Sequence, residues 1–413
     1  MRMRPVTVVG AMTTVLTIAG LAMAMVVPSA GTAAPRLPKV DLSTNAAVQN
    51  YLRSVGIDPA TVVIQRGLNN YAGPNCPGLG WNCTTSTRAV QVAAAGGQNK
   101  FTCDPAFGDP APYPLPGTIT NPSTNTCVIV QDATLTGAQN HARCLIHTSM
   151  STATCHVLQQ NVTGDNFFQG HQRIRQTSGP DQDGHIDLNL HQVNVSGNNH
   201  AHSLMQIFQS TSEVSGSGTQ DQNGSFDASP WEQSTETGNN VGHLTQTLNQ
   251  DGRAKGGPSV SQTQFGDHLG DVDQFAEPAV DIAQATGNAG FSKFFASQSE
   301  TQTLTGPGSQ SQTGPQRCCG VGTQTGDPAQ TEFNIDQSST QNASQFGAGN
   351  VSQSQDIRGD CNTTGTCTIH HNVTNEVGSE NEQRSGTGVV TLNTFCFAFS
   401  GEGEGGACPD EGG

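Results

Sequence analysis

Two histidines separated by one residue are the first candidates for metal chemistry in this chain. His200 and His202 flank Ala201, and side chains at positions i and i+2 share one face of a β-strand. Neutral imidazoles placed in this way can chelate a divalent transition metal. No carboxylate or third histidine has a fixed place beside the pair, so we interpret both as solvated strand or corner residues and predict no metal site.

A group of carboxylates offers a second candidate site. Asp181, Asp183 and Asp187 lie in the segment GPDQDGHID. Alternating carboxylates followed by a glycine, here Gly184, are typical of a calcium-binding loop. The full ligand series and its terminal bidentate glutamate are missing, which favours an ordinary Asp-Gly turn.

Catalytic chemistry would need a second kind of residue beside the acids. Asp271 and Asp273, in GDVDQ, are the best acid pair. Polysaccharide-cleaving β-helices need such a pair next to a basic residue or a further carboxylate, and nothing basic lies near these two in sequence. No nucleophile elbow, phosphate-binding loop or Cys–His signature occurs. We therefore predict no catalytic residue, no cofactor and no enzymatic activity.

Regular Thr-x-Thr steps are a candidate binding surface. They would each place two hydroxyls on one face of a strand, and flat hydroxyl arrays can bind ice or crystalline polysaccharide. The spacing between the steps is irregular, which weakens this interpretation. The steps are Thr245-Gln-Thr247, Thr301-Gln-Thr303 and Thr323-Gln-Thr325.

The elements that would carry these residues are indicated by a repeated phrase. Three segments, QQNVTGDN, QVNVSGNN and QSTETGNN, share the pattern Q-x-x-x-x-G-[DN]-N. Twelve positions after each glycine stands a further glutamine, at Gln176, Gln209 and Gln250. Recurring units of this size predict stacked coils that bury themselves only against their neighbours. The repeated positions are Gln159, Gly164 and Asn166; Gln192, Gly197 and Asn199; and Gln233, Gly238 and Asn240.

The chain composition restricts how such a stack can be held together. Only 33% of residues are hydrophobic and 12% are charged, with 49 glycines, so a thick apolar core is excluded. The alternatives are unstructured polar low complexity and a thin β-stack with interior amide ladders; we favour the stack. Glycines 164, 197 and 238 would form its corners. The glutamines expected inside are Gln159, Gln192, Gln206, Gln233 and Gln246.

Charge and leader residues predict the location. The formal charge is −16 and no basic run exists. Because phosphate binding needs clustered Lys and Arg, we predict no nucleic-acid partner. Arg2 and Arg4 precede an apolar run over residues 6–27 and then small residues, the layout of a secretory signal peptide over residues 1–34. An uncleaved membrane anchor is the alternative. We predict a secreted, extracellular or cell-wall protein with no membrane contact after cleavage.

Twelve cysteines fit an oxidising compartment, and their spacing suggests local disulfides. The adjacent Cys318 and Cys319 would then form a strained bridge or link to other chains. No CxxC pair occurs, so zinc is not expected. The predicted pairs are Cys76 with Cys83, Cys103 with Cys127, Cys144 with Cys155, Cys361 with Cys367, and Cys396 with Cys408.

Five regions follow along the chain. After the signal peptide, residues 35–57 should contain a helix that starts at a Ser43 cap, stops at Gly56 and covers the first coil as an end cap. Residues 58–155 should form a disulfide-rich head with short strands, in which Cys144 and Cys155 bracket a hairpin or two adjacent rungs. The repeat solenoid should cover residues 156–395. An acidic, glycine-rich tail over residues 396–413 should be mobile.

One segment resembles a known family. Gln345, Gly347 and Asn350 match the pattern Q-x-G-x-x-N of the curlin repeat in curli fibres, with Ser352 at the usual alanine position and the final glutamine at Gln355. The resemblance implies amides stacked at strand spacing and bonded from rung to rung. The Ala-rich leader and composition also resemble those of secreted proteins of high-GC Gram-positive bacteria.

Together, these features predict an all-β fold: a Gln/Asn-rich β-solenoid with a short N-terminal helical cap. The expected function is a structural or adhesive cell-surface or matrix protein, whose partner is itself or a cell-surface polysaccharide. The alternative is a secreted β-helix enzyme or binding module that acts on polysaccharide.

Overall fold

The structure is a computed structural model. It describes residues 39–104, 125–134, 138–177, 179–215, 219–235, 237–255, 261–267, 282–285, 292–306, 309–318, 332–345, 351–363, 366–378 and 388–400. The predicted signal peptide and the last 13 residues lie outside this part of the chain.

Strands dominate the described residues. One helix, α1 (Asn45–Ser54), and one turn of 3-10 helix, Pro59–Thr61, precede them. The strands are β1 (Val63–Ala72), β2 (Asn82–Thr84), β3 (Arg88–Cys103), β4 (Thr126–Ala133), β5 (Gln139–Thr148), β6 (Thr152–Asn161), β7 (Asn166–Gln176), β8 (Asp181–Val193), β9 (Asn199–Ser215), β10 (Thr219–Asp227), β11 (Trp231–Ser234), β12 (Asn240–Lys255), β13 (Ser261–Asp267), β14 (Ile282–Ala285), β15 (Ser292–Gly306), β16 (Ser309–Cys318), β17 (Glu332–Gln345), β18 (Val351–Thr363), β19 (Thr366–Gly378) and β20 (Gly388–Ser400).

Every strand pair between successive coils is parallel, as a solenoid requires. The first ladder contains β4, β6 and β8, then β10 and β11, then β13 and β14, and then β16, β18 and β20. The second ladder contains β5, β7, β9, β12, β15, β17 and β19. Strands β1 and β3 run through both ladders. The fold is therefore the predicted all-β solenoid.

The two ladders face each other across a narrow interior. Side chains alternate between buried and half-exposed along the strands, for example over the whole of β15, which is the period of two expected for a strand with one buried face. Gln172 of β7 reaches across and donates to the backbone carbonyls of Ala153 in β6 and Asp187 in β8. Amide side chains therefore join the ladders as well as the coils.

Apolar side chains fill the interior mainly in the earlier coils. Ile129, Ile186, Leu188 and Ile207 are among the largest residues of one continuous cluster, and each is fully buried. Burial of such side chains stabilises the fold by roughly 1.5–3 kcal/mol each. In β15 and β17 this cluster continues through Phe294, Ala296 and Ile335. Four further inward positions of these strands are glutamines, namely Gln298, Gln302, Gln337 and Gln341.

The N-terminal helix forms in the predicted segment of the chain, but its N-cap lies one residue later than predicted. Thr44, not Ser43, is the N-cap, and its hydroxyl accepts from Ala47 N at 3.1 Å. The buried helix residue Leu52 belongs to a cluster with Val90, Val128 and Leu158, which come from β3, β4 and β6. The helix therefore covers the side of the first coils, where it contacts three successive coils.

The disulfide-rich region is built from coils of the same solenoid. β3 pairs with β4 in the first ladder and with β5 in the second. In turn, β4 pairs with β6 and β5 pairs with β7, so both ladders extend from this region into the repeats. At the other end, β20 extends to Ser400, past the predicted start of the tail at residue 396. Within the described residues, no helix has the length and apolar character needed to cross a bilayer.

Candidate functional site

A column of six stacked glutamines is the most regular polar feature of the interior. Each member after the first donates its side-chain N–H to the side-chain oxygen of the glutamine one coil earlier, at 2.7 to 2.9 Å. All six are 0–3% exposed. The column contains Gln65, Gln91, Gln131, Gln159, Gln192 and Gln233.

The second amide proton of these glutamines binds the backbone at the entry to the next strand. Gln159 donates to the carbonyl of Phe167 at 2.9 Å, and Gln192 donates to that of His200 at 3.1 Å. Each amide is thus used on both N–H groups. Since an unmatched buried polar group costs about 1–3 kcal/mol, the column stabilises only the coil register that matches every amide with its neighbour.

A column of asparagines runs beside the glutamines, and its hydrogen bonds are donated in the opposite direction along the stack. Each asparagine before the last donates to the asparagine one coil later, at 2.8 to 2.9 Å, whereas the glutamines donate towards the preceding coil. The asparagine that ends each copy of the repeated phrase therefore has a structural role equal to that of the glutamine that begins it. The column contains Asn70, Asn99, Asn140, Asn166, Asn199 and Asn240.

Further glutamine columns continue through the later coils. The glutamines found twelve residues after each repeat glycine form one of them, with Gln302 and Gln341 added. Another joins Gln246 to Gln298 and Gln337. Further columns contain Gln182, Gln222, Gln264, Gln312 and Gln353, and Gln220, Gln262 and Gln310.

The expected interior position of Gln206 is wrong. Gln206 lies on the outer side of β9, half-exposed, and Met205 occupies the inward position. Met205 sulfur accepts from Gln246 at 3.7 Å. Because side chains alternate along a strand, the buried Gln209 of the same strand requires Gln206 to face outward.

The three repeat glycines do lie at corners, but they are required there for closeness rather than for backbone conformation. None of Gly164, Gly197 and Gly238 has a positive φ. A Cβ on Gly197 would overlap the carbonyl oxygen of Gly164, and one on Gly238 would overlap that of Gly197. The corners of successive coils stack so tightly that only glycine fits.

The sequence interpretation missed the residue that closes each corner. The side-chain oxygen of Asn194 accepts from the backbone N–H groups of Val195 and Gly197, and its amide donates to Gly164 O at 2.8 Å. The signal was present, because the third letter of the repeated phrase is Asn, Asn and Thr. The equivalent residues are Asn161 and Thr235.

Three of the predicted disulfides are formed: Cys76–Cys83, Cys103–Cys127 and Cys144–Cys155. Cys103 and Cys144 are in register in the second ladder, and Cys127 and Cys155 are in register in the first. The last two bridges therefore lie one above the other and join the two ladders through the interior. Cys144 and Cys155 lie on the consecutive strands β5 and β6, which belong to successive coils and do not pair as a hairpin.

His200 and His202 lie on the outer side of the second ladder, in contact with other aromatic rings. His200 stacks on Phe167 with ring centroids 5.0 Å apart, and Phe167 stacks on His141 at 4.9 Å. His202 makes an edge contact with His243 at 5.9 Å. Burial lowers the pKa of His200 and that of His141, so these rings are neutral near pH 7. Each imidazole has one face against the ring of Phe167.

Cysteines are the candidate metal ligands that the structure brings closest together. Among the described residues, the group of three that could hold an ion is Cys127, Cys144 and Cys155. All three are oxidised in disulfides. His200 and His202 point to different neighbouring rings instead of converging.

The acidic segment is a strand and not a turn. Asp181, Asp183 and Asp187 occupy alternate positions of β8, and the positive φ lies earlier, at Gly179. The Asp-Gly turn predicted there is therefore wrong. Burial and the neighbouring Asp227 raise the pKa of Asp187 to about 6.

Hydroxyl side chains cover the outer side of the second ladder in the later coils. Thr245 is in register with Ser297, and Thr301 is in register with Thr340. Thr247 is half-exposed like its neighbours. The remaining Thr-x-Thr step at residues 323–325 lies outside the described residues, as does the acid pair Asp271 and Asp273.

Several predicted site residues are described only in part or not at all. Gln345 ends β17, while Gly347 and Asn350 lie outside the described residues. Cys361, Cys367 and Cys396 belong to β18, β19 and β20, and their pairing, like that of Cys408, stays a prediction. The chain matches no protein-family model, no curated protein and no solved structure.

Proposed function

We propose that this protein is a secreted structural or adhesive component of a cell surface or extracellular matrix. The observation that carries the proposal is the series of uninterrupted amide columns, which hold coil after coil in one register. Such a stack resists local slippage because each coil is bonded to its neighbours by backbone and side-chain amides. A stack with repetitive outer sides suits scaffolding and adhesion.

The three interior or local disulfides support a location in an oxidising environment. Cytosolic proteins seldom keep such bridges, and the leader residues have the layout of a secretion signal. Secretion can be measured directly by locating the mature chain in culture medium or cell wall after expression with its own leader.

The first coil supports self-association. No strand among the described residues pairs with the outer edge of β1 over residues 63–67. Leu68 is 54% exposed and Val63 is 39% exposed, which is unusual for large apolar side chains in this molecule. An open, apolar strand edge favours the addition of a strand from another copy.

Sedimentation and electron microscopy test this role. The nine strands β1, β3, β5, β7, β9, β12, β15, β17 and β19 predict a stack about 40 Å long at strand spacing, so assemblies longer than this require end-to-end contact. We expect concentration-dependent assembly that Leu68→Lys weakens and that Leu79→Lys, in an exposed loop, leaves unchanged. A compact monomer at every concentration, indifferent to both changes, would contradict the structural role.

A further inference from the structure

A cleft of about 330 Å³ opens on the outer side of the second ladder. It crosses three successive coils, since its walls come from β7, β9 and β12. Its size is within the range of small-ligand sites in proteins. The lining includes Arg173, Arg175, Thr177, Phe208, Asn249 and Asp251.

Two cations in this cleft are unusual for so acidic a chain. The sequence has 17 basic and 33 acidic residues, yet no carboxylate of the described residues lies within ion-pair distance of Arg173 or Arg175. By contrast, the nearby Arg253 pairs with Asp251 at 3.1 Å. The cleft therefore contains two guanidinium charges that form no ion pair with a carboxylate of the described residues.

Arg173 is also held in place without its hydrogen bonds being used. Its guanidinium lies 4.8 Å from the ring centroid of Phe208, an arrangement that uses the flat face and leaves the in-plane N–H groups available. Its Nε is buried and has no hydrogen-bond partner among the described residues. Because this atom is closed to solvent, an anion in the cleft would be bound by the terminal Nη groups of the guanidinium.

We propose that this cleft binds an acidic polysaccharide, with Arg173 and Arg175 receiving the carboxylate or phosphate groups of its sugar units. Guanidinium groups form paired hydrogen bonds with both kinds of anion. Thr177 and Asn249 supply hydrogen bonds for sugar hydroxyls. The inference rests on the adhesive role proposed above and names the chemistry of the surface to which the protein adheres.

A second copy of the chain fits the cleft less well. The protein's own acidic side chains on β8, such as Asp183 and Asp187, are short and stand on the outer side of a sheet. Short side chains on such a face cannot enter a concave site, whereas a flexible sugar chain can follow a cleft that runs from coil to coil.

Affinity electrophoresis of the full oxidised protein tests the proposal. The probes are polygalacturonate for carboxylate, poly(glycerol phosphate) for phosphate, and neutral dextran as the control polymer. We expect at least one acidic polymer to retard the protein and dextran not to do so. The double variant Arg173→Ala/Arg175→Ala should lose about tenfold or more in affinity, since two charge-assisted contacts are removed. Arg53→Ala, on the exposed side of α1 and outside the cleft, should retain the affinity.

Three results would overturn the proposal. These are wild-type protein that binds neither acidic polymer, an equal loss in Arg53→Ala, and a double variant that alters sedimentation while polymer binding is unchanged. The last would assign the cleft to another copy of the chain. Far-UV circular dichroism verifies that each variant keeps its strands, and sedimentation of the same samples reports on self-association separately from polymer binding.

Discussion

Replacing Gln192 by leucine removes one amide from the middle of the six-glutamine column. Its Nε2 donates to Gln159 Oε1 at 2.7 Å and to His200 O at 3.1 Å, and its Oε1 accepts from Gln233 Nε2 at 2.7 Å. Leucine keeps the approximate volume of the side chain but makes none of these bonds. Three buried polar groups lose a partner at once.

The magnitude follows from these three groups. Each costs about 1–3 kcal/mol when left unmatched, which totals roughly 3–9 kcal/mol. Burial of the leucine side chain returns about 1.5–3 kcal/mol. We therefore expect Gln192→Leu to lower the free energy of unfolding by about 4 kcal/mol, the midpoint of the difference between these two ranges.

Urea denaturation followed by far-UV circular dichroism, with the disulfides intact, measures this loss. The matched control is Gln206→Leu, which makes the same chemical change on the outer side of β9, where the effect should stay within about 0.5 kcal/mol. Equal midpoints for the two variants would refute the reasoning, because they would mean that the interior amides contribute no more than exposed ones.

Two further predictions concern the corners and the helix. Gly197→Val should prevent folding or secretion, because the valine side chain would overlap the carbonyl of Gly164. Ser196→Ala, at the neighbouring exposed position, is the control and should leave the melting temperature nearly unchanged. A normal melting curve for the valine variant would contradict the close stacking of the corners. Burial lowers the pKa of His156, which lies 3.1 Å from the Tyr51 hydroxyl, from 6.5 to about 4. The unfolded chain then takes up this proton first as pH falls, so stability should drop by about 3 kcal/mol between pH 6.5 and 4 and not above pH 6.5. His156→Gln should lack this component of the pH dependence, and identical pH profiles for the two proteins would exclude it.

The repeated phrase predicted the fold class and much of the interior. Gln192 and Gly197 were assigned to the interior and to a corner, and the structure places both there. Spacing alone was sufficient, because a glutamine in the same phase of every coil must meet its equivalent one strand away.

Other features depended on information that spacing does not contain. The prediction that Gln206 faces the interior contradicted the period of two, since the repeated Gln209 is three positions later in the same strand and residues so spaced face opposite sides. The sequence was sufficient to place Gln206 on the outer side. Gln91 and Gln131 of the disulfide-rich region were missed because their corners differ in length from those of the later repeats. The side of the stack on which α1 packs depends on apolar residues of three separate strands, which a local pattern cannot bring together.

The interior amide columns are tested most directly by hydrogen exchange of side-chain amides, followed by nuclear magnetic resonance on selectively labelled glutamine. The column of Gln159, Gln192 and Gln233 predicts side-chain N–H protons that exchange as slowly as the surrounding strand backbone, while those of Gln206 exchange rapidly. Rapid exchange of all glutamine side chains, in a protein whose strands remain protected, would contradict the account.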